Sequence, residues 1–326
     1  MSDVISLSKQ LRDALEKQDK SEFDRLSRSF QSMTNRLEGS IDALSRDLSE
    51  AKSKREVERL PSYKRLKKEV DEELSDYKDY LINELILVAG LWLGLGVNHS
   101  TLLTQQAAGD AGIDFEPIPF DALLLQSLNR YLDEGSPLLV RLQVYGKANA
   151  DRIKQLIFES IGLGLGPREL ARKIVAEGLG MALTDALRMA RTLQLYAYRE
   201  ATLLNYQQYD IIKGWVWMSA LIPGRTCISC VNMHGTIHTK DEVLNDHHNG
   251  LCAMLPYLGQ KNPVTQNGEA WFGSLDKGTQ IKMMGQSKWD AWQAGKFNLS
   301  DVTGIHVDDV YGEMRIERSL KDLLNE

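Results

Sequence analysis

The N-terminal part of the chain carries apolar residues at helical spacing. Between residues 21 and 60 there is no proline, and apolar side chains recur in steps of three and four. The set consists of Phe23, Leu26, Phe30, Met33, Leu37, Ile41, Leu44 and Leu48. This spacing predicts one apolar stripe along an α-helix. A helix of about 40 residues would be roughly 60 Å long, so we expect it to pack on another helix or on a partner.

The most apolar stretch, LINELILVAGLWLGLGV, covers residues 81–97. Its uninterrupted core, 85–97, is shorter than the ~18 residues that a membrane-spanning helix requires. The pattern therefore predicts a buried helix, with two alternatives: a helix covered only in an oligomer, and a segment that contacts a membrane late in the protein's life. A second strong helical pattern covers residues 183–210.

The hydropathy pattern changes after residue 210. The stretch IIKGWVWMSALIPGRT alternates large apolar and small residues, which predicts a strand before a turn at Pro223-Gly224. These patterns predict a mainly α protein with long N-terminal helices and a small β-containing module, an α+β fold. The predicted segments are an extended helical arm at 1–80, a helical domain at 81–213, a Cys/His β-module at 214–260 and a mixed C-terminal segment at 261–326.

Composition and charge narrow the choice of function. A chain of 326 residues is long enough for two or three domains, and its N-terminus lacks the features of a secretory signal, which favours folding in a cytoplasm. The net charge of −6 gives no general attraction to nucleic acid. A DNA contact would need a local basic stripe, such as Lys64, Arg65, Lys67 and Lys68, for which a solvated helical face is the simpler interpretation.

The three cysteines of the chain all lie between residues 227 and 252. Cys227 and Cys230 form a C-x-x-C pair, whose tight turn directs two thiolates at one ion. Cys252 with either His247 or His248 would complete a tetrahedron. Thiolates with an imidazole favour Zn²⁺, and a closed set of four ligands is structural. The sequence therefore predicts a structural Zn²⁺ site at Cys227, Cys230, His247 and Cys252, with His248 as a substitute ligand.

Three other interpretations of this cluster fit its residues less well than a zinc site. A thioredoxin-like redox pair belongs at the start of a helix in a βαβ setting, whereas a turn precedes this pair and a hairpin-like stretch follows it. Buried cysteines alone would not explain why His234, His238 and the other histidines lie beside them. Asp246 and His247 suit a metal-dependent, HNH-like DNA endonuclease, but the next histidine, His306, is too distant for a compact ββα unit.

An ordered set of motifs resembles the phage Mu F-like minor head proteins, also called phage head-morphogenesis proteins. MARTLQLYAYREATLLNY is similar to the family's Ala-Arg-Thr helix, KGWVWMSA to its Trp-rich strand, and RTCISCVNMHG to its Arg-Thr-Cys-x-x-Cys element. HHNGLC stands where the family has His-Pro-Asn-Cys-Arg-Cys, with Gly250 and Leu251 in place of Cys and Arg. The similarity covers roughly residues 160–305 and is carried by Ala190, Arg191, Thr192, Ala201, Asn205, Arg225, Thr226, Cys227, Cys230, His234, Gly235, His247 and Cys252.

The resemblance implies a structural protein and not an enzyme, with no catalytic residue. Such a minor capsid protein would be made in the host cytoplasm and lie inside the head at the portal vertex, bound to the portal protein and oligomeric in the virion. Contacts with the major capsid or scaffolding protein and with packaged DNA are further expectations. An internal DNA-binding virion protein is the alternative within this class. We expect Arg225 and Asn249 to hold the cysteine loop by hydrogen bonds.

Overall fold

The computed structural model describes residues 3–47, 54–131, 178–248, 250–308 and 312–324. The described part is mainly helical, and its strands form two small antiparallel sheets. This confirms the predicted fold class, apart from the zinc ion that was part of it. The chain divides into two compact units. The first comprises Met1–Leu15, Ala89–Asp133 and Gln194–Glu326, and the second comprises Glu16–Val88 and Glu134–Leu193.

Five helices precede the first strand in the described part of the chain. They are α1 (Asp3–Asp47), α2 (Lys54–Val57), α3 (Pro61–Asp110), α4 (Phe120–Tyr131) and α5 (Gly180–Gln207). The predicted stripe of α1 is buried from Leu26 to Leu44, while Leu48 lies outside the described residues. Within the second unit this stripe packs on α3: the Phe30 and Tyr77 rings meet edge to face at 4.9 Å, and Tyr77 donates to the Leu26 carbonyl. The stripe of α1 therefore has its partner in the same chain.

Helix α3 contains the apolar stretch 81–97. By length and composition alone this helix could cross a membrane, and half of its most apolar window is buried within the structure. Its buried residues here include Leu81, Leu85, Val88, Ala89, Trp92, Leu93 and Val97. Leu87 and Leu91, one turn apart, are 72 % and 44 % exposed. The predicted buried helix thus carries one exposed apolar row.

Helices α3 and α5 cross closely within the first unit. A Cβ atom at Gly96 would lie 2.5 Å from the Tyr198 carbonyl oxygen and 2.9 Å from the Ala201 Cβ, so the crossing requires glycine at this position. Next to it, the Asn205 amide donates to Ser100 Oγ at 2.6 Å. Ala201 and Asn205, two of the motif residues, therefore serve this helix contact, which fixes α5 beside the cysteine region.

A three-stranded antiparallel sheet and a short helix form the frame of the cysteine region. The strands are β1 (Gly214–Met218), β2 (Ile237–His238) and β3 (Ala253–Tyr257), in the order β2-β1-β3, and helix α6 (Ile228–Met233) lies between β1 and β2 in the chain. The predicted strand corresponds to β1, which is buried along its whole length because it is the central strand. A glycine is needed at Gly214, where a Cβ would lie 2.2 Å from the His238 carbonyl oxygen.

The C-terminal residues add short helices and a hairpin to the first unit. In order they are α7 (Gly268–Gly273), α8 (Lys277–Met284), α9 (Gln286–Gln293), a 3-10 helix (Leu299–Val302), β4 (Thr303–Asp308), β5 (Gly312–Glu317) and α10 (Leu320–Leu324). Phe272, Leu299 and Val302 pack with Ile228 and Val231 of α6 in one buried cluster. The residues predicted as separate segments 214–260 and 261–326 therefore share a core, because α6 presents apolar side chains to the elements that follow.

Candidate metal centre

The two cysteines of the C-x-x-C pair lie at the start of α6. Cys227 is the N-cap residue, and its Sγ accepts a hydrogen bond from the Cys230 backbone N–H at 3.3 Å. The preceding turn contains Gly224 at φ +71°, in the left-handed region that favours glycine. The sequence analysis placed a hairpin-like stretch after the pair, whereas the structure has a short helix there. The setting is still not βαβ, because β1 pairs antiparallel with both of its neighbours.

His247 lies directly over the two sulfurs. Its Nε2 is 3.2 Å from Cys227 Sγ and 3.3 Å from Cys230 Sγ. Its Nδ1 is 2.9 Å from the carbonyl oxygen of His248, which can only accept, so Nδ1 carries the proton. Metal-binding histidines commonly donate their second ring nitrogen in this way, which leaves Nε2 free for an ion. His248 contributes this carbonyl and lies outside both groups of candidate ligands.

Five side chains form two overlapping groups of three candidate ligands. Cys227, Cys230 and His247 form one group, and Cys230, Asp246 and Cys252 form the other; within each, the donor atoms lie within 4.8 Å of one another. Around a tetrahedral zinc, Zn–S and Zn–N bonds of about 2.3 and 2.0 Å place sulfur and nitrogen about 3.5 Å apart. The observed distances of 3.2 and 3.3 Å are close to this value. The cluster could therefore hold a metal ion.

Asp246 organises the backbone of the ligand loop. Its Oδ1 accepts from the His247 N–H at 2.9 Å, and its Oδ2 accepts from the Cys252 N–H at 3.2 Å. The carboxylate is only 1 % exposed. A Cβ atom at position 250 would lie 2.0 Å from Asp246 Oδ2, so Gly250 leaves the space that this carboxylate occupies. One buried carboxylate thus holds two predicted ligand residues in place.

Arg199 of α5 closes the same loop from the other side. Its Nη2 donates to Asp246 Oδ2 at 3.1 Å, to the Gly250 carbonyl at 2.8 Å and to the Cys252 carbonyl at 2.9 Å. The sequence analysis missed Arg199 and considered Asp246 only for a nuclease. The available signal was a charged residue among apolar residues one and two turns away on the same helix face, Leu195, Leu203 and Tyr206, all of which are buried.

The ionisable groups of the cluster perturb one another strongly. Hydrogen bonds from Cys230 and from His247 lower the pKa of Cys227 to about 5, despite burial. The Cys227 and Cys252 sulfurs raise the pKa of Cys230, and the Cys227 contact raises the pKa of His247 to about 10. Burial opposes ionisation of Asp246, but Arg199 and His247 outweigh it and lower the pKa of Asp246. Sulfur atoms that lie this close together repel one another when they are all ionised, unless a cation lies between them.

The remaining candidate residues of the region lie apart from the cluster. His234 Nδ1 accepts from the Ser219 N–H at 3.0 Å, and His238 lies between Thr236 Oγ1 and Glu242 Oε1. The Arg225 side chain is exposed; its backbone N–H donates to the Ile222 carbonyl, which is its only hydrogen bond to the described residues that we find. Asn249 lies outside the described residues. The predicted role of Arg225 in holding the cysteine loop stays a prediction, because this bond lies within the turn that precedes the pair.

No protein-family model, no curated protein and no solved structure matches this chain. The resemblance to phage head-morphogenesis proteins accordingly rests on the sequence motifs alone.

Proposed function

We propose that this protein is a non-enzymatic virion assembly protein, similar to the phage head-morphogenesis proteins, whose cysteine region is held together by one structural Zn²⁺. The observation that carries the metal part is the approach of two thiols to His247 Nε2, with Nδ1 committed to a backbone carbonyl. The proposed role in the virion rests on the resemblance of the sequence motifs to those of that family. An ion bound in the cysteine region would join the start of α6, where Cys227 is the N-cap residue, to the loop before β3 that carries His247.

Charge favours one of the two groups as the position of the single ion that we propose. The group with Asp246 lies against the Arg199 guanidinium, which would repel a dication there and which already neutralises the carboxylate. The group with Cys227, Cys230 and His247 has no such cation among its hydrogen-bond partners. Cys252, which belongs to the other group and lies outside the one with Cys227 and His247, remains the proposed fourth ligand and would have to approach them when the ion binds. Three sulfurs with one nitrogen would favour Zn²⁺ over Mg²⁺ or Ca²⁺. Asp246 acts as an outer carboxylate that orients the ligand loop.

The nuclease alternative requires a carboxylate at an open coordination position. Asp246 is almost fully buried and accepts from Arg199 and from two backbone N–H groups. This arrangement supports a structural ion over a catalytic one. The discriminating experiment incubates the purified chain with plasmid DNA and Mg²⁺ or Mn²⁺. We expect no cleavage; cleavage that His247→Ala abolishes would support the nuclease.

The partner proposal rests on the exposed apolar row of α3. Because the stripe of α1 is buried within its own unit, we place the contact with a portal subunit, among the described residues before 150, on the exposed row with Leu87 and Leu91. The DNA alternative needs the basic residues at the start of α3, yet Arg65 and Lys68 form ion pairs with Glu69 and Glu72 one turn away. These pairs reduce the positive charge offered to phosphates.

Co-purification with the portal protein of the same virus at low and high salt tests this proposal. Apolar docking should persist at high salt, whereas phosphate contacts weaken steeply. We expect Leu91→Lys to abolish portal binding and Ile237→Lys, a matched change on exposed β2, to preserve it. Portal binding that Leu91→Lys leaves unchanged would contradict the placement of the interface.

A further inference from the structure

Cys227 and Cys230 lie close enough to each other to form a disulfide. Both are free thiols, and they are three residues apart at the first turn of α6, a spacing that places side chains next to one another. The Cys230 backbone N–H donates to Cys227 Sγ at 3.3 Å, and the two sulfurs lie within 4.8 Å of each other. Rotation of the two side chains within this one turn is enough to bring the sulfurs into bonding distance.

The three cysteines, all of which the structure describes, differ in their access to solvent. Cys227 is partly exposed, whereas Cys230 and Cys252 are only 4 % and 5 % exposed. Cys230 lies between the other two, since its sulfur is within 4.8 Å of each, while Cys252 shares no group with Cys227. A reagent from solution therefore meets Cys227 first, and the sulfur next to Cys227 is that of Cys230.

We infer that Cys227 and Cys230 are a site of oxidation by hydroperoxides, which convert the pair to a disulfide and leave Cys252 as a thiol. With hydrogen peroxide, the Cys227 sulfur attacks one oxygen, the O–O bond breaks, and the other oxygen leaves with the thiol proton as water. Cys227 is then a sulfenic acid. The Cys230 sulfur attacks the Cys227 sulfur, the S–O bond breaks, and hydroxide leaves with the Cys230 proton as a second water. The two thiols lose two electrons, which reduce one peroxide to two waters.

The consequence for the metal centre rests on the zinc site proposed above. Cys227 and Cys230 are two of its four ligands, and sulfurs that are joined in a disulfide are no longer the thiolates that bind zinc. His247 and Cys252 alone do not form a closed set, so oxidation releases the ion. The link between the start of α6 and the loop with His247 is then lost until a thiol reductant restores the pair. Binding of the ion thus depends on the redox state of the surroundings.

Peptide mass spectrometry of the full chain tests the pairing. The protein as purified, and the same protein after a chelator, is exposed to hydrogen peroxide, alkylated and digested with trypsin without reduction. Cleavage after Arg225, Lys240 and Lys261 places Cys227 and Cys230 in peptide 226–240 and Cys252 in peptide 241–261. We expect peptide 226–240 to lose two hydrogens and to carry no alkyl group, while peptide 241–261 is alkylated. Dithiothreitol before alkylation should reverse the change.

Variants separate the roles of the two sulfurs. Cys230→Ser should stop at the Cys227 sulfenic acid, which dimedone traps, because the second sulfur is absent. Cys227→Ser should give no dimedone adduct, because the remaining thiols are buried. His306→Ala, outside the cluster, should form the disulfide as the wild type does. Far-UV circular dichroism shows that each variant is folded, and the wild-type peptides decide the pairing without the variants.

The outcomes separate this inference from the zinc proposal. A zinc indicator should report about one ion released per disulfide formed. Purified protein without zinc would contradict the zinc site alone, and peptide 226–240 should still form the disulfide. The inference would be overturned by a peptide 226–240 that stays alkylated both with and without chelator, or by a disulfide that joins it to peptide 241–261. Disulfide formation with the zinc retained would overturn the release of the ion.

Discussion

Replacing Asp246 by asparagine tests whether this carboxylate organises the ligand loop. The substitution changes the size of the side chain very little and removes its charge. It leaves the Arg199 guanidinium, 12 % exposed, without its ionic partner. It also replaces one acceptor oxygen by an NH₂ group, although both oxygens accept backbone N–H groups, from His247 and Cys252. One of these donors then loses its partner.

The expected loss is large for a single substitution. Removing one partner of a buried ion pair typically costs about 3–5 kcal/mol, and an unsatisfied buried donor costs about 1–3 kcal/mol, contributions that overlap here. We therefore expect Asp246→Asn to reduce the free energy of unfolding of this unit by about 3–5 kcal/mol. Asp185→Asn, which breaks the more exposed pair with Arg188 in the second unit, should change the free energy of unfolding of that unit by at most about 1 kcal/mol.

Urea unfolding followed by near-ultraviolet circular dichroism, with zinc content measured in parallel, supplies the assay. Replacing both partners, Arg199→Met with Asp246→Asn, should cost less than the sum of the two single changes, because no buried charge is left unpaired. A loss below about 1 kcal/mol for Asp246→Asn, with zinc content unchanged, would refute the role assigned to this residue.

Three further predictions concern the first unit. Gly96→Ala should destabilise it by about 1–3 kcal/mol, because the new Cβ meets α5, whereas Gly90→Ala, with open space around it, should be neutral or slightly stabilising in thermal unfolding. Burial first, and then Lys9 and Arg12, lower the pKa of His234 to about 4, so this neutral histidine contributes stability that is full above pH 6.5 and is lost as pH falls towards 4. Urea unfolding between pH 7 and pH 5 should show a loss that is about 2 kcal/mol smaller in His234→Gln than in the wild type, since the likewise lowered pKa of the buried His99 affects both proteins alike. Cys227→Ser should lower zinc content and the melting temperature of the cysteine region while helical circular dichroism from α1 and α3 persists.

Local periodicity made the helices and the central strand predictable. The steps of three and four in α1 and the alternation in β1 each follow from one element and its buried face, so they can be read without knowing the neighbours. The stripe of α1 could be identified only from position 21 onward, because the buried positions before it include the polar residues Ser8 and Asp19. The hairpin of β4 and β5 was also missed, since both strands mix charged and apolar residues and β4 buries neither face.

The residues that could bind the ion were predictable from the sequence, whereas the residues that hold them in position were not. Cysteine is rare in this chain, so a sequence reader notices the candidate ligands Cys227, Cys230, His247 and Cys252. The contact between Arg199 and Asp246, in contrast, joins residues that are 47 positions apart. Such a contact depends on the crossing of α3 and α5 at Gly96, a tertiary feature without a local pattern. The requirement for Gly250 likewise appears only once the Asp246 carboxylate occupies the space beside it.

Zinc content of the purified full chain is the most direct test of the metal centre. Elemental analysis by mass spectrometry should find about one zinc per chain, and a chelator should remove it and lower the melting temperature. The variant Cys227→Ser should bind less zinc, and His306→Ala, outside the cluster, should bind as much as the wild type. A protein that contains no zinc, and whose melting temperature is the same with and without chelator, would contradict the proposal.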